Sequence, residues 1–163
     1  AFTVLKQFKN LSNLKLAIVG DILHSRVARS QIDVFSKLGI DDIRLIGPET
    51  ILPKEFEKFG VSIHRNIENG IKDVNVIICL RIQNERMSSM LLPSRKEYFA
   101  LYGLTEKRIK YCSNDLIVMH PGPINRGVEI DSTVADSAFS MILNQVSYGV
   151  AVRMAIINKV LNG

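Results

Sequence analysis

The segment VNVIICLR, from Val74 to Arg81, carries the strongest indication of fold in this chain of 163 residues. Six of its first seven residues are apolar, so the run has the length of a strand and no polar face. A strand that is apolar on both faces is typical of a parallel sheet covered by helices on both sides. Four further β-rich runs predict the neighbouring strands, at 14–20, 43–47, 61–65 and 116–120.

Amphipathic stretches separate these runs, and the alternation predicts βαβ units. The clearest predicted helix spans Arg26 to Leu38, with Ser25 as its N-cap and Gly39 at its end. The other predicted helices lie around 54–59, 67–72, 93–101, 105–111 and from about 137 to 161. An interruption of the last helix near Gly149 stays open. The prediction is one domain over 1–163, a doubly wound, Rossmann-like α/β unit with about five parallel strands.

Composition and charge exclude several classes of function. The net charge is +5, but the basic residues form no stripe with interleaved aromatic residues, so nucleic-acid binding is not expected. The densest basic cluster, Lys107, Arg108 and Lys110, has the pattern of a solvated helix face. No apolar run approaches the roughly 20 residues of a membrane span. Cys79 and Cys112 are predicted to be reduced thiols without metal-site spacing. The positive charge favours an anionic small molecule or an acidic partner domain.

Ligands of doubly wound sheets bind beyond the carboxyl ends of the strands, which makes the loop GDILHSR after the first strand a candidate site. Gly20 stands alone where a dinucleotide-binding protein has G-x-G-x-x-G, so no nucleotide or other cofactor is expected. Ser25 and Arg26 combine a helix N-terminus with a guanidinium, which suits a carboxylate or a phosphate. A capping Ser beside a surface Arg is the alternative. His24 lies in the same loop and is given no chemical role.

The fourth strand ends in RIQNER. The guanidinium of Arg81 and the amide of Gln83 suit one carboxylate, with Glu85 close enough in sequence to orient the arginine. A structural ion pair between Arg81 and Glu85 explains the same residues equally well.

The fifth strand is followed by HPGPINRG. Pro121 and Pro123 fix the backbone and remove two N–H donors, so the turn presents rigid carbonyl oxygens that can accept hydrogen bonds from an amine. His120 precedes the turn, but no Ser or Cys nearby is an evident nucleophile, and no catalytic triad is predicted.

Taken together, these loops resemble the second domain of aspartate carbamoyltransferases, within the aspartate/ornithine carbamoyltransferase family. The stretches that carry the resemblance are VGDILHSRVARS, LRIQNER, HPGPINRGVEI and, in the last helix, QVSYGVAVRMAII. Their order and spacing match from about residue 11 to the end of the chain. An ornithine carbamoyltransferase is expected to show HCLP and an Asn-rich first loop instead, so the resemblance implies L-aspartate as the substrate of this domain.

The resemblance implies that this domain binds both carboxylates of its substrate. Arg26 falls where the family holds the α-carboxylate of the substrate, while Arg81 and Gln83 fall where it holds the β-carboxylate. Glu85 matches the residue that orients the second arginine.

The resemblance also implies roles for the turn. Pro121 and Gly122 offer backbone carbonyls toward the amine and the carbamoyl group, and Pro123 shapes the pocket; many relatives have Leu where Gly122 stands. The implied reaction is attack of the aspartate amine on carbamoyl phosphate, in pyrimidine biosynthesis in the cytoplasm. Positioning of two substrates and stabilisation of charge account for such catalysis, so no cofactor, metal ion or covalent nucleophile is expected.

Only the second domain of the family is represented in the sequence. The S-T-R-T loop, the lysine loop and the H-P-[ST]-Q segment that bind carbamoyl phosphate do not occur in it. Residues 1–12 resemble the tail of an interdomain helix that follows an N-terminal carbamoyl-phosphate domain. The chain alone is therefore expected to lack transferase activity, and the intact enzyme to be a homotrimer. The apolar last helix packs toward the first domain in the family, so exposure and self-association are expected here. Binding of a regulatory chain stays open.

Other classes of function remain to be separated from this one. They are a stand-alone module that binds anions or dicarboxylates without catalysis, another carbamoyltransferase, and a Rossmann-type nucleotide binder.

Overall fold

A computed structural model describes residues 1–82 and 94–163 of the chain. Five parallel strands form one sheet in the order β3-β2-β1-β4-β5. The strands are β1 (Lys15–Val19), β2 (Asp42–Ile46), β3 (Ser62–His64), β4 (Val76–Cys79) and β5 (Ile117–Met119). The doubly wound α/β prediction is confirmed. All five predicted strands are present; four are shorter than predicted, and β2 has the predicted length but begins one residue earlier.

Helices and two 3₁₀ segments connect the strands. The helices of the described residues are α1 (Phe2–Gln7), α2 (Arg26–Lys37), α3 (Ile67–Gly70), α4 (Arg95–Tyr102), α5 (Glu106–Ile109), α6 (Ser132–Ala135) and α7 (Ile142–Asn162). The segments Glu49–Ile51 and Lys54–Phe59 are 3₁₀ helices. Pro48 and Pro53 precede them, and short connectors of this kind commonly adopt the tighter 3₁₀ winding.

Burial on both faces explains why β1 and β4 occupy the middle of the sheet. Ile18 of β1 pairs with Ile78 of β4, and both side chains pack into the core layer that also holds α2. Ile77 and Cys79 point into the opposite layer. Burying one such aliphatic side chain contributes about 1.5–3 kcal/mol, so the paired central strands supply much of the stabilisation.

The start of α2 confirms the predicted cap. Ser25 has an extended backbone, and its hydroxyl accepts a hydrogen bond of 3.0 Å from the Ala28 N–H. Gly39 follows the helix with φ of 84°, a left-handed conformation that favours glycine. The first turn of α2 therefore lies directly beyond the carboxyl end of β1.

The last helix begins at Ile142, about five residues later than predicted. The backbone before it runs along β5, where Val118 donates to the Phe139 carbonyl and Met141 donates to the Val118 carbonyl. These hydrogen bonds hold the segment extended, which a sequence pattern does not reveal. Gly149 does not interrupt α7.

Apolar side chains on α7 face solvent. Leu143 is 81% exposed, Val160 78% and Leu161 74%. In its first two turns the helix also packs on α1, where the Phe2 and Tyr148 rings meet edge to face with centroids 5.4 Å apart. Within the described part of the chain, no helix is both long and apolar enough to cross a membrane. Self-association through α7 stays a prediction.

Arg108 corrects the prediction of a solvated basic face. Its side chain is only 12% exposed and forms a 2.8 Å ion pair with Glu68. Its guanidinium also donates to four carbonyls at the end of α4, those of Phe99, Ala100, Leu101 and Gly103. Carbonyls at a helix end lack partners within the helix, and here one arginine satisfies them. Lys107 and Lys110 are exposed, as predicted.

Replacing Arg108 by Lys is expected to lower the free energy of unfolding by about 2 kcal/mol, because an ammonium cannot reach all of these acceptors. Urea denaturation followed by circular dichroism measures the change. The reciprocal substitution Lys107→Arg, at the exposed neighbouring position, should change the free energy by no more than about 0.5 kcal/mol. Equal effects of the two variants would contradict the structural role of Arg108.

Candidate functional site

Three loops meet at the carboxyl edge of the sheet and enclose a cleft of about 310 Å³. The connections from β1 and β4 leave in opposite directions along the sheet, so a crevice opens between these strands. Its lining comes from the loops after β1, β4 and β5: Asp21, His24, Ser25, Arg26, Val27, Leu80, Arg81, Pro121 and Gly122. The three loops singled out in the sequence therefore share one site.

Arg26 and Arg81 line this cleft from different elements. Arg26 is the first residue of α2, and Arg81 follows β4 by two residues. Within residues 1–82 and 94–163, neither guanidinium forms a hydrogen bond or an ion pair. Both are exposed, so their donors remain available to an anion. The first N–H groups of a helix also lack partners within it, which adds donors at the start of α2.

Two of the predicted site residues cannot be placed in this cleft. Gln83 and Glu85 lie outside the described residues, which end at Ile82 and resume at Ser94. That Gln83 binds the substrate carboxylate and that Glu85 orients Arg81 remain predictions. Pro123 is exposed beside the cleft lining, at the cis peptide bond that follows Gly122.

A buried histidine supports the HPGP turn from below. His120 is 0% exposed, and its Nδ1 accepts a 2.9 Å hydrogen bond from the Gly122 N–H. Since Nδ1 accepts, the ring proton lies on Nε2, which donates to Glu129 Oε1 at 3.0 Å. The same carboxylate oxygen accepts from the Asn125 N–H at 2.7 Å. His120 and Glu129 therefore fix the turn at both ends.

Gly122 adopts a conformation that suits glycine. Its φ is 73°, and a Cβ atom added there would meet nothing within 4 Å. The constraint is therefore the backbone angle and not the available space, since L-residues in this region are strained by roughly 1–2 kcal/mol.

Beneath the turn, Glu129 lies in a largely apolar layer with Cys79 and Tyr98. Burial raises the pKa of the Tyr98 hydroxyl and of the Cys79 thiol, and the charge of Glu129 raises both further. Both groups are thus held in their neutral forms. Within the described residues, Glu129 Oε2 and the Tyr98 hydroxyl have no hydrogen-bond partner.

Sequence reasoning overlooked Asp21 and Glu129. Asp21 is 3% exposed and contacts His24, whose Nδ1 lies 2.8 Å from Asp21 Oδ1. A carboxylate next to apolar residues, as in IVGD and GVEI, is a usable signal because buried acids require partners. The described residues contain no group of three or more His, Cys, Asp or Glu side chains that could hold a metal ion.

A family model and several solved structures are similar to this chain, and all of them are of aspartate or ornithine carbamoyltransferases. A family model described as "Aspartate/ornithine carbamoyltransferase, Asp/Orn binding domain" matches residues 12–160. The structure of ornithine carbamoyltransferase from Pyrococcus furiosus is similar with a TM-score of 0.83 and 22% identity, covering 96% of this chain and 52% of that chain.

Two further solved structures show the same fold. Aspartate transcarbamoylase from Trypanosoma cruzi, in complex with phosphate, has a TM-score of 0.76 and 23% identity over 95% of this chain and 52% of that chain. Ornithine carbamoyltransferase from Gloeobacter violaceus has a TM-score of 0.70 and 24% identity over 87% of this chain and 49% of that chain. The chain spans about half the length of the structures that it matches.

Replacing Glu129 by Leu is expected to lower the free energy of unfolding by about 2–4 kcal/mol, since two buried donors lose their acceptor. Glu129→Gln keeps an acceptor oxygen and should cost about 1 kcal/mol. Urea denaturation measures the free energy of unfolding of both variants. Glu57→Leu, the same substitution at an exposed position, is the control. If Glu129→Leu were no more damaging than Glu57→Leu, the role of Glu129 in holding the turn would be refuted.

Proposed function

The chain belongs to the aspartate/ornithine carbamoyltransferase family, as its Asp/Orn binding domain, and from this premise we propose that it binds L-aspartate. The amino acid would accept the carbamoyl group of carbamoyl phosphate in the complete enzyme. The family membership covers both aspartate and ornithine, so the choice between them rests on the chemistry of the cleft.

The observation that carries the proposal is the pair of guanidiniums in one cleft. Arg26 and Arg81 line the same 310 Å³ space and have no partners among the described residues. An arginine binds a carboxylate through two parallel hydrogen bonds, and L-aspartate has two carboxylates. The free N–H groups at the start of α2 favour negative charge at the same place.

L-ornithine suits this lining less well. It carries one carboxylate and a second amine on its side chain, so one guanidinium would face an ammonium group. The cleft does contain the carboxylate of Asp21, but that group is 3% exposed and already bonded to His24. The charges offered to a ligand are therefore mainly positive.

The turn after β5 supplies the complementary part of the proposed site. Pro121 and Gly122 line the cleft and offer backbone carbonyls, which can accept hydrogen bonds from the substrate amine. The neutral amine nitrogen would attack the carbamoyl carbon, the bond from that carbon to the phosphate oxygen would break, and the proton lost by the amine would pass to the departing phosphate. Holding the amine in a fixed orientation lowers the entropic cost of this bimolecular step.

The groups that bind carbamoyl phosphate would come from a further domain. The sequence contains no S-T-R-T or H-P-[ST]-Q string, and the chain spans about half of the structures that it matches. We propose that this chain is the amino-acid half of such an enzyme and, as the resemblance implies, that the intact enzyme acts in pyrimidine biosynthesis in the cytoplasm as a homotrimer. The exposed apolar face of α7 is consistent with a missing neighbour.

Titration of the chain with ligands tests the choice of substrate. L-aspartate and succinate are expected to bind with dissociation constants in the millimolar range and L-ornithine more weakly, because two arginines face two carboxylates. Arg26→Ala and Arg81→Ala should each weaken L-aspartate binding by about 10- to 100-fold, the value of a charge-assisted hydrogen bond. Isothermal calorimetry or chemical-shift titration measures the constants.

Lys37→Ala is the matched control, since Lys37 lies at the other end of α2 and pairs with Asp33. It should leave the dissociation constant unchanged. Tighter binding of L-ornithine than of L-aspartate would overturn the aspartate assignment in favour of another carbamoyltransferase.

A transfer assay tests the dependence on a second domain. The chain alone, mixed with carbamoyl phosphate and L-aspartate, is expected to form no N-carbamoyl-aspartate above the uncatalysed rate. Addition of a carbamoyl-phosphate domain of the family should restore measurable turnover, because positioning of both substrates is then complete. Turnover by the chain alone at a rate typical of an intact enzyme would refute the dependence. Failure of the combined domains to turn over would favour a stand-alone dicarboxylate-binding module.

A further inference from the structure

His24 lines the cleft, but the proposed function gives it no role in binding the substrate. Its side chain is 31% exposed and lines the same space as the two arginines and the HPGP turn. We propose that His24 Nε2 accepts a hydrogen bond from the α-amino group of the substrate. The inference rests on the proposed function and extends it, because it names a residue that recognises the amine.

The contact with Asp21 sets the tautomer of His24. Nδ1 lies 2.8 Å from Asp21 Oδ1, and the His24 backbone N–H donates to the same oxygen at 3.2 Å. An ionised carboxylate only accepts hydrogen bonds, so Nδ1 carries the proton. In the neutral ring, the lone pair then lies on Nε2. The bond from Nδ1 to this buried carboxylate also fixes the orientation of the ring, and the bond from the backbone N–H holds the loop beneath it.

The chemistry of the lining shows where an acceptor is useful. Arg26, Arg81 and the start of α2 are all donors and suit carboxylates. An α-ammonium group has three donors of its own and needs acceptors. The lining offers the carbonyls of Pro121 and Gly122 and, as a third acceptor, His24 Nε2. The lining thus combines donors that suit carboxylates with acceptors that suit the amine.

His120 provides a contrast within the same molecule. Its Nδ1 accepts from Gly122 and its Nε2 donates to Glu129, so its tautomer is the opposite of that of His24. His120 is also 0% exposed and lies below the turn. The two histidines therefore have separate roles, one in holding the turn and one in facing the ligand.

Long-range ¹H–¹⁵N spectra of the chain labelled on histidine test the proposal. The three histidines give separate signals, and a pH of about 8.5 keeps an ordinary imidazole neutral. We expect His24 to show the Nδ1–H tautomer, and its Nε2 signal to move upfield on addition of L-aspartate. Succinate has both carboxylates but no amine, so it should bind and leave this Nε2 signal in place. The His120 ring signals should respond to neither ligand.

The variant His24→Asn tests the contribution of Nε2 separately from that of Nδ1. The Asn amide can still donate to Asp21 from the position of Nδ1, but it has no atom at the position of Nε2. L-aspartate binding should weaken by about tenfold, the value of one hydrogen bond to a charged group, while succinate binding stays unchanged. His64→Asn, in the edge strand β3, is the control and should change neither constant.

The outcomes distinguish this inference from the proposed function. If neither ligand binds the wild-type chain, the proposed function fails and the inference fails with it. If both bind but the His24 Nε2 signal responds equally to each, the role of His24 in amine recognition is overturned and the dicarboxylate site stands. An equal weakening of both ligands by His24→Asn would overturn that role in the same way.

Discussion

β1 lies between β2 and β4, and the side chains of these strands are buried on both faces of the sheet. Because such strands must be covered by helices above and below, each strand connects to the next through a crossover. The crossovers from β1 and β4 leave on opposite sides, and a crevice at the carboxyl edge is the geometric result. Every described residue that we propose for ligand binding lies at that edge, so the proposed site depends on the order of the strands.

The turn after β5 shows how a buried polar network gives precision to an exposed loop. Gly122 would be free to move if only its own backbone held it, but the ring of His120 accepts its N–H and Glu129 secures the ring. Buried hydrogen bonds are costly to break because no water replaces the lost partner. The carbonyls that we propose as acceptors for the ligand are therefore held by interactions one layer below them. A network of this kind places groups accurately without contacting the ligand.

Some arginines of this chain pair with carboxylates in the folded structure, and others line the cleft without such partners among the described residues. Arg44 and Arg108 have carboxylate partners, and the guanidinium of Arg44 lowers the pKa of Asp42. Arg26 and Arg81, by contrast, keep their donors free among the described residues. Since all four are arginines in ordinary sequence contexts, only their surroundings separate the two that are paired within the protein from the two that we propose bind a ligand. The net charge of +5 is thus a poor guide to function on its own.

The order of the elements follows from the sequence alone. The apolar run at Val74–Leu80, the cap at Ser25 and the glycine after α2 determine strands and helices through local rules of burial and backbone geometry. Resemblance between ordered motifs was enough to indicate the family and to select Arg26, Arg81 and the HPGP turn. Other features depend on contacts across long separations in sequence. These are the late start of α7 along β5, the burial of Arg108 against α4 and the bonds from His120 to Glu129 and from His24 to Asp21. A side chain meets such partners only after the sheet has formed, so the tertiary structure alone decides which polar residues have partners within the protein and which keep their hydrogen-bonding groups available in the cleft.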